Sequence, residues 1–151
     1  MKKLFIIFIT FLSFNAFAGN WALGYMDIEG DVGGVTIEYN LSEEDADLDL
    51  SIGVLFGTKD YVECSGGICS GVEIDPSAIA RASYNINENF FVRASFASFN
   101  YTAAAAGYGA FAIESDSENE VGLGLGFNAG PISFGADRFD DATVVSLTYN
   151  F

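Results

Sequence analysis

Apolar residues recur at every second position through most of the chain. This pattern appears in eight stretches, separated by short segments rich in Gly, Asp, Asn, Glu and Ser. A period of two predicts β-strands, because successive side chains of a strand point to opposite faces. The predicted strands cover residues 20–27, 35–41, 48–56, 78–86, 90–96, 121–127, 132–136 and 145–151. The pattern therefore predicts an all-β protein of eight antiparallel strands.

The two faces of these strands differ in the size of their side chains. One face carries Leu, Ile, Val and aromatic residues, and the other is mostly Gly, Ser, Ala, Thr and Asn. Four apolar residues interrupt the small face, namely Leu55, Ile79, Phe91 and Phe99. Small residues are what the crowded interior of an eight-stranded barrel can hold. We therefore predict an up-and-down transmembrane β-barrel with its apolar face outward, and a soluble secreted ligand-binding barrel as the alternative.

Aromatic residues and connection lengths support a membrane barrel. In an up-and-down arrangement one rim collects Trp21, Tyr39, Tyr84, Phe90, Phe127, Tyr149 and Phe151, which is the pattern of an interfacial girdle. Short turns are predicted on that side at residues 42–46, 87–88 and 129–130. Long loops are predicted on the other side at residues 57–75 and 102–117, and this asymmetry is typical of outer-membrane barrels.

The first 18 residues have the three regions of a secretory signal peptide. Lys2 and Lys3 precede an apolar run over residues 4–14, and Ala16-Phe17-Ala18 provides a cleavage site. The run is shorter than the about 20 residues that a spanning helix needs. We predict a cleaved signal peptide over residues 1–18 and a barrel domain over residues 19–151.

Charge and composition exclude several classes of function. The chain has 21 acidic residues, six basic residues and no histidine, with a formal net charge of −15. A strongly acidic protein repels phosphate, so we expect no nucleic-acid partner. The absence of histidine removes His-based catalytic triads and most zinc sites. We therefore predict a protein that is not an enzyme and has no catalytic residue, metal or cofactor.

Five charged residues point into the predicted barrel by strand parity: Glu38, Asp49, Arg81, Arg93 and Asp137. Buried charges must be paired, so we expect an ionic cluster in the lumen. The cluster is interpreted as a plug, because eight strands leave room for side chains rather than for an open channel. A gate in a narrow passive pore for ions or small solutes is the alternative.

The two cysteines lie in the first of the predicted long loops. Cys64 and Cys69 enclose Gly66 and Gly67, which allow the segment to fold back on itself. An exported protein meets an oxidising compartment, so the pair is predicted to form a structural disulfide. Their spacing does not match a redox C-x-x-C motif, and no further cysteine is present to complete a metal site.

The predicted outer loops are rich in Asp and Glu. The simplest interpretation is a solvated surface, and the alternative is binding of divalent cations shared with lipopolysaccharide phosphates. Arg138 has outward parity at the end of its strand, where it can meet such a phosphate directly. The lipid bilayer and lipopolysaccharide are therefore the expected partners, whereas no surface ligand can be identified from these residues.

The C-terminal segment over residues 145–151, Val-Ser-Leu-Thr-Tyr-Asn-Phe, alternates strictly and ends in Phe, and residues 120–127 alternate with glycine. With these two segments the chain resembles the small eight-stranded outer-membrane barrels of Gram-negative bacteria, the OmpA/OmpX-like and opacity-type family. The resemblance implies that Leu147, Tyr149 and Phe151 are the signal read by the barrel assembly machinery. It also implies escort by periplasmic chaperones and an outer-membrane location. Members range from structural barrels to adhesins, so we predict a structural or surface-interaction role.

Overall fold

Nine antiparallel strands form one sheet in the computed structural model, which describes residues 20–29, 31–42, 47–140 and 142–151. The strands are β1 Trp21–Ile28, β2 Val32–Asn40, β3 Leu48–Lys59, β4 Tyr61–Ser65, β5 Ile68–Asn85, β6 Phe90–Gly107, β7 Ala110–Ala129, β8 Ile132–Arg138 and β9 Thr143–Asn150. No helix in this part of the chain is long and apolar enough to cross a membrane. The predicted signal peptide, residues 1–18, lies outside the described residues.

Eight of these strands close into a barrel. Each of the eight pairs with the next barrel strand along the chain, so that β3 pairs with β5 and the short β4 is skipped. The pairing of β1 with β9 closes the barrel. The register is fixed by pairs such as Ala22 with Asn150 at the β1–β9 seam. The short strand β4 pairs with β5 above the point where β3 leaves it. The predicted eight-stranded antiparallel up-and-down barrel is confirmed, and β4 is an addition to it.

The apolar face of the barrel points outward. Large hydrophobic residues such as Ile52, Leu123 and Leu147 are exposed, whereas Thr36 and Ser146 on the opposite faces of their strands are buried. An apolar exterior of this kind is stable in contact with lipid and not with water. Closure of the barrel also pairs the backbone N–H and C=O groups of each strand with those of its neighbours, as the bilayer interior requires. The soluble secreted barrel with an apolar interior is therefore ruled out by the orientation of the strands.

The predicted long loops are wrong, because residues 57–75 and 102–117 belong mainly to strands. Strands β5 and β6 each have 18 residues and β7 has 20, so they extend well past the barrel. This extension, called the projecting sheet below, consists of β4 and residues 68–75, 100–107 and 110–117. Its strands carry Ala, Gly, Ser and acidic residues instead of the apolar alternation that marks the barrel. The sequence therefore gives a weak strand signal there.

Two tight turns hold the tips of the projecting sheet. Gly66 and Gly67 have φ of 60° and 84°, and Tyr108 and Gly109 have φ of 49° and 79°. Two consecutive residues with positive φ form the two-residue hairpin turn whose twist matches antiparallel strands. Consequently each pair of strands continues to its tip without a flexible loop.

Pro76 marks the boundary between barrel and projecting sheet on β5. Proline has no N–H for the ladder, and the β5–β6 register shifts between Asp75 and Ala78. The Ser77 hydroxyl provides hydrogen bonds where the backbone ladder is interrupted. It accepts a hydrogen bond from the Asn100 N–H at 2.9 Å and donates to the Asp75 carbonyl at 2.8 Å. The Ser77 side chain thus supplies hydrogen bonds on both sides of the irregularity.

The opposite end of the barrel, called the terminal rim, carries Asn20, Phe151 and a band of aromatic rings. Edge-to-face contacts join Trp21 to Tyr39 at 5.1 Å, Phe90 to Phe127 at 5.2 Å, and Tyr149 to Phe151 at 5.0 Å between ring centroids. Tyr84 is exposed on the neighbouring strand β5. The aromatic residues predicted to form a girdle therefore all lie at one end. Of the predicted turn 42–46, residues 43–46 lie outside the described residues.

Candidate functional site

Two buried ion pairs cross the lumen near the middle of the barrel. Arg81 contacts Glu38, and the Arg93 Nε donates to Asp137 Oδ1 at 2.9 Å. All four side chains are at least nine-tenths buried. The positions arise from the register, because Arg93, Gly124 and Asp137 lie side by side on β6, β7 and β8. The structure thus divides the predicted cluster into two pairs.

Each ion pair has further hydrogen bonds that satisfy its charged groups. Thr36 and Ser51 both donate to Glu38, at 3.1 Å each. The Arg93 Nη2 donates to the Ser146 hydroxyl at 3.1 Å, and its guanidinium lies 5.5 Å from the centroid of the Phe91 ring. A buried charge needs hydrogen bonds of this kind to offset the cost of its desolvation.

Asp49, the fifth predicted cluster residue, lies apart from these pairs. It accepts a hydrogen bond at 2.8 Å from the Asn85 side chain. Both residues line a polar cavity of about 460 Å³ that occupies the lumen between the ion pairs and the terminal rim. Amides and hydroxyls make up most of its remaining wall, including Asn40, Ser83 and Asn150. The lumen is therefore open on the terminal side only as far as the two arginines.

Glycines on the lumen face provide the space for these side chains. A Cβ added at Gly124 would overlap with the Asp137 carboxylate, and one at Gly135 would overlap with the Arg93 guanidinium. Gly126 faces the Phe91 ring in the same way. The alternating glycines in residues 120–127 therefore have a structural role, since each one seats a side chain that fills the lumen.

We expect Gly124→Ala to lower the free energy of unfolding by about 1–3 kcal/mol, the range for overpacking a filled interior. The added methyl displaces Asp137 from Arg93. Urea unfolding in detergent micelles, followed by Trp21 fluorescence, measures the change. Gly71→Ala in the projecting sheet is the control with the milder contact, because its methyl would lie 3.1 Å from the Tyr61 carbonyl oxygen, whereas the methyl at Gly124 would overlap with the Asp137 carboxylate. Equal stability of the two variants would contradict this expectation.

An apolar layer closes the lumen on the side of the projecting sheet. Its members are Met26, Leu55, Ile74, Ile79, Ala97, Phe99, Phe139 and Val144, all of them buried. Phe139 follows β8 and turns inward, where its ring packs edge-to-face on Phe99 at 5.9 Å between centroids. The lumen therefore has two successive barriers, one ionic and one apolar.

The sequence pattern predicts only part of this apolar layer. Leu55, Ile79 and Phe99 interrupt the small face of their strands, whereas the pattern does not mark Met26 or Phe139. Met26 has lumen parity on β1, so continuing the alternation by one step reveals it. Phe139 lies beyond the end of β8, and no periodic signal exists for a residue that folds inward from a turn.

The inward face of the projecting sheet is acidic. Glu114 and Asp116 alternate along β7, with Glu118 next on the same face at the boundary with the barrel, and Asp116 pairs with Tyr101 on β6. The negative charge of Asp116, together with slight burial and the charges of Glu118 and Glu114, raises the pKa of Tyr101. A hydrogen bond to Glu63 and the charge of that residue likewise raise the pKa of Tyr61. This face therefore carries a negative potential.

The tips of the projecting sheet are cross-linked in two ways. A disulfide joins Cys64 to Cys69, which are directly opposite each other on β4 and β5. The Tyr108 hydroxyl at the other tip donates a hydrogen bond to the Gly66 carbonyl at 2.7 Å. Both tips are therefore held in one sheet.

Two basic residues lie where the barrel meets the projecting sheet. The Lys59 ammonium is 3.0 Å from Asp27, and the Arg138 guanidinium is 3.9 Å from Glu29. Arg138 also donates to the Thr143 hydroxyl at 2.9 Å and remains largely exposed. Each of these basic groups thus has an acidic neighbour on the β1 hairpin.

The C-terminal strand completes the seam of the barrel. Leu147, Tyr149 and Phe151 point outward and are exposed, and the Phe151 N–H donates to the Trp21 carbonyl at 3.0 Å. Strand β9 pairs with both β1 and β8 along its length. The three residues that the resemblance assigns to assembly therefore share one accessible face of the closing strand.

The acidic residues do not gather into a metal site. Within residues 20–29, 31–42, 47–140 and 142–151, no group of three or more His, Cys, Asp or Glu side chains is placed to hold a metal ion. The carboxylates of the projecting sheet instead alternate along extended strands, which keeps them apart.

A closed eight-stranded barrel with an apolar exterior, a polar lumen and a C-terminal closing strand defines the class of small outer-membrane barrels. Neither a family model nor a curated relative matches the sequence. Solved structures that share the fold include the following two. Ail, the attachment invasion locus protein of Yersinia pestis, matches with a TM-score of 0.51 and 18% identity, covering 85% of this chain and 90% of Ail. The N-terminal β-barrel domain of Pseudomonas aeruginosa OprF matches with a TM-score of 0.55 and 13% identity, covering 87% of this chain and 96% of that domain.

Proposed function

We propose that the chain is a non-enzymatic, integral outer-membrane barrel that makes contacts at the cell surface through its projecting sheet. The terminal rim faces the periplasm, and the projecting sheet stands outside the cell. In this adhesin-like role the barrel is an anchor and its lumen is plugged.

The observation that carries this proposal is the projecting sheet itself. Four strands extend past the barrel as a regular, hydrogen-bonded sheet with two-residue turns, a disulfide and a Tyr108–Gly66 tie. A barrel with a purely structural role in the membrane would need only short connections between its strands. Binding residues are typically presented on segments held by a rigid scaffold. The fold similarity to Ail, an attachment invasion locus protein, supports the same role.

The bilayer and its lipids are the partners that we infer for the barrel. Exposed aromatic pairs at the terminal rim suit the membrane–water interface. At the other boundary, the exposed guanidinium of Arg138 supports a contact with a lipopolysaccharide phosphate as part of this proposal. We further propose that the outward residues Leu147, Tyr149 and Phe151 are read by the barrel assembly machinery, and that periplasmic chaperones deliver the unfolded chain.

A plugged lumen predicts the absence of stable channels in planar lipid bilayers. The two ion pairs and the apolar layer around Phe99 each block the lumen. We expect the purified barrel to leave the bilayer at its baseline conductance. Discrete, long-lived conductance steps of a preparation free of other porins would contradict the plug and favour a narrow pore.

The surface role is tested by shortening the projecting sheet. We design a variant in which residues 62–71 and 103–114 are each replaced by a two-residue Asn-Gly turn. The cuts leave the directly opposite pairs Tyr61–Val72 and Thr102–Ser115 as the new hairpin ends. Bacteria displaying the full chain are expected to attach to epithelial monolayers, and attachment is expected to fall to the level of cells without the protein.

The control changes one residue at the terminal rim instead. Asn87→Ala removes a hydrogen-bonding side chain from the β5–β6 turn at the terminal rim and leaves the projecting sheet unchanged. This control should attach as the full chain does. Equal attachment of the shortened variant and the full chain, at equal amounts of folded barrel in the membrane, would show that the projecting sheet is not the contact surface.

A further inference from the structure

The tip of the projecting sheet carries no charge. We call the tip residues 64–72 and 103–113, which contain no Asp, Glu, Lys or Arg, although the chain has a formal net charge of −15. The two segments lie side by side, because Ile68 at the start of β5 pairs with Gly107 at the end of β6. Both hairpin ends of a strongly acidic chain are therefore uncharged at the same level.

Large apolar side chains of the tip are exposed on both faces of the sheet. Strand alternation places Phe111 and Ile113 on the outward face and Ile68 on the inward face. Their exposed fractions are 69%, 59% and 47%, and that of Tyr108 in the β6–β7 turn is 85%. Exposed apolar surfaces of this kind mark sites of interaction with a protein or a membrane.

Acidic residues begin on the sheet a few residues behind its turns. Counted from the turns, the first charges are Glu63 on β4, Glu73 on β5 and Glu114 on β7. Asp75 and Asp116 follow on β5 and β7, and we call these five residues the collar. The collar separates the tip from the apolar exterior of the barrel, so the tip is not a continuation of the surface that contacts the surrounding membrane.

The tip stands well beyond the membrane that holds the barrel. Pro76 marks the end of the barrel on β5, and Ile68 lies eight residues further along the same paired strand. At the usual rise of a strand this distance is about 26 Å. The disulfide between Cys64 and Cys69 keeps β4 joined to this strand at the tip. With the orientation proposed above, the tip therefore meets what lies outside the cell and not the lipid around its own barrel.

We propose that the tip inserts into the surface of a facing lipid membrane, an inference that rests on the proposed function. A protein surface that packs on one face of the sheet leaves either Phe111 or Ile68 in water. Lipid surrounds an inserted tip and contacts both faces at once. Tyr108 combines an apolar ring with a polar hydroxyl, which is the chemistry of residues that lie at a membrane–water interface.

The insertion is shallow because the tip has open edges. Within the described residues, β4 pairs only with β5, and residues 110–121 of β7 pair only with β6. Unpaired backbone groups are costly in hydrocarbon, so these edges stay at the level of the headgroups, where polar partners exist. Glu63 sets the same limit, since it is level with Ala105, three residues or about 10 Å from Tyr108. Interfacial amphipathic elements reach a similar depth of about 5–10 Å.

The collar determines which lipid the tip prefers. At this depth its carboxylates lie next to the headgroups, where anionic lipids repel them and zwitterionic lipids do not. We expect phosphatidylcholine vesicles to bind the tip at least about fivefold more tightly than vesicles with about one third phosphatidylserine do in low salt. Salt at about 0.5 M should remove most of this difference by screening the charges.

A fluorescent label on the tip tests the proposal. The folded barrel is held in nanodiscs, which leave the projecting sheet in water, and phosphatidylcholine vesicles that contain nitroxide lipids are added. Both native cysteines are in the disulfide, so an added cysteine is the single free thiol. We expect the vesicles to quench an environment-sensitive dye at Ala110→Cys but not the same dye at Ser117→Cys, which lies behind the collar on β7. Equal quenching at both positions, or none at either, overturns the proposal.

Substitutions on the two faces show whether lipid is the occupant. Phe111→Ser and Ile68→Ser are each expected to weaken vesicle binding at least about fivefold, because each removes a large apolar side chain from lipid. Phe111→Leu should bind within about twofold of the native chain. If Ile68→Ser binds as the native chain does and only Phe111→Ser is affected, the occupant covers one face and the proposal is wrong.

Labelling of Ser117→Cys on intact bacteria separates failure of this inference from failure of the proposed function. A membrane-impermeant maleimide is expected to react at this position. Labelling without vesicle binding overturns the lipid contact and leaves the surface location intact. A folded barrel that is not labelled contradicts the proposed function, and with it the inference.

Discussion

Replacing Arg93 with alanine is expected to lower the free energy of unfolding by about 3 kcal/mol, the lower end of the range for breaking a buried ion pair. The substitution leaves the Asp137 carboxylate, which is almost fully buried, without the two-nitrogen contact that it receives from Arg93. It also removes the hydrogen bond to Ser146 and the contact with the Phe91 ring. Equilibrium unfolding in urea and detergent micelles measures the difference.

Arg81→Ala provides the comparison, and we expect its effect to be smaller. Glu38 keeps the hydrogen bonds from Thr36 and Ser51 after Arg81 is removed. The double variant Arg93→Ala/Asp137→Ala should recover part of the loss, because it no longer contains an unpaired buried charge. If Arg93→Ala is as stable as the native chain, the ion pair makes no net contribution and the lumen is more hydrated than its contacts indicate.

Phe99→Ala is expected to have a comparable effect, with a loss of about 3–5 kcal/mol for a buried aromatic residue. Phe99 lies in the apolar layer, where its ring packs edge-to-face on Phe139, so its removal leaves a cavity beside that ring. The variant should unfold at a lower urea concentration and migrate as an unfolded band at a lower temperature on gels.

Phe96→Ala is the matched control for this prediction. Phe96 lies on the same strand, but its side chain points outward and is exposed. Removing the Phe96 ring takes away a contact with lipid and creates no cavity in the lumen. We therefore expect the loss in the free energy of unfolding to be less than half of that for Phe99→Ala. Equal losses for the two variants would mean that the apolar layer does not stabilise the fold through packing.

The architecture of the barrel follows from sequence because a membrane barrel alternates strictly. One face contacts lipid and the other fills a narrow lumen, so the pattern in segments such as residues 121–127 determines both strand and orientation. The same parity rule placed Glu38, Arg81, Arg93 and Asp137 in the lumen. Parity does not show which acidic residue pairs with which arginine. That pairing depends on the register between strands that are distant in sequence, as for Glu38 on β2 and Arg81 on β5.

The projecting sheet was missed for a physical reason. Outside the membrane neither face needs bulky apolar residues, so β6 can continue through four alanines and β7 through alternating acids. Their strand structure depends on pairing with neighbours and on tight turns. In the sequence, Gly66 and Gly67 indicate a turn that brings Cys64 and Cys69 together, but they do not show that the strands on either side continue into the barrel.

The most direct test of the whole account is a gel of outer-membrane fractions that compares unboiled and boiled samples. A closed barrel inserted in the membrane resists SDS, so we expect the unboiled protein to run faster than the boiled protein. This result is predicted for the native chain and for the shortened variant, since both retain the barrel. A protein found in the soluble fraction, with no difference between the two lanes, would contradict the membrane-inserted barrel.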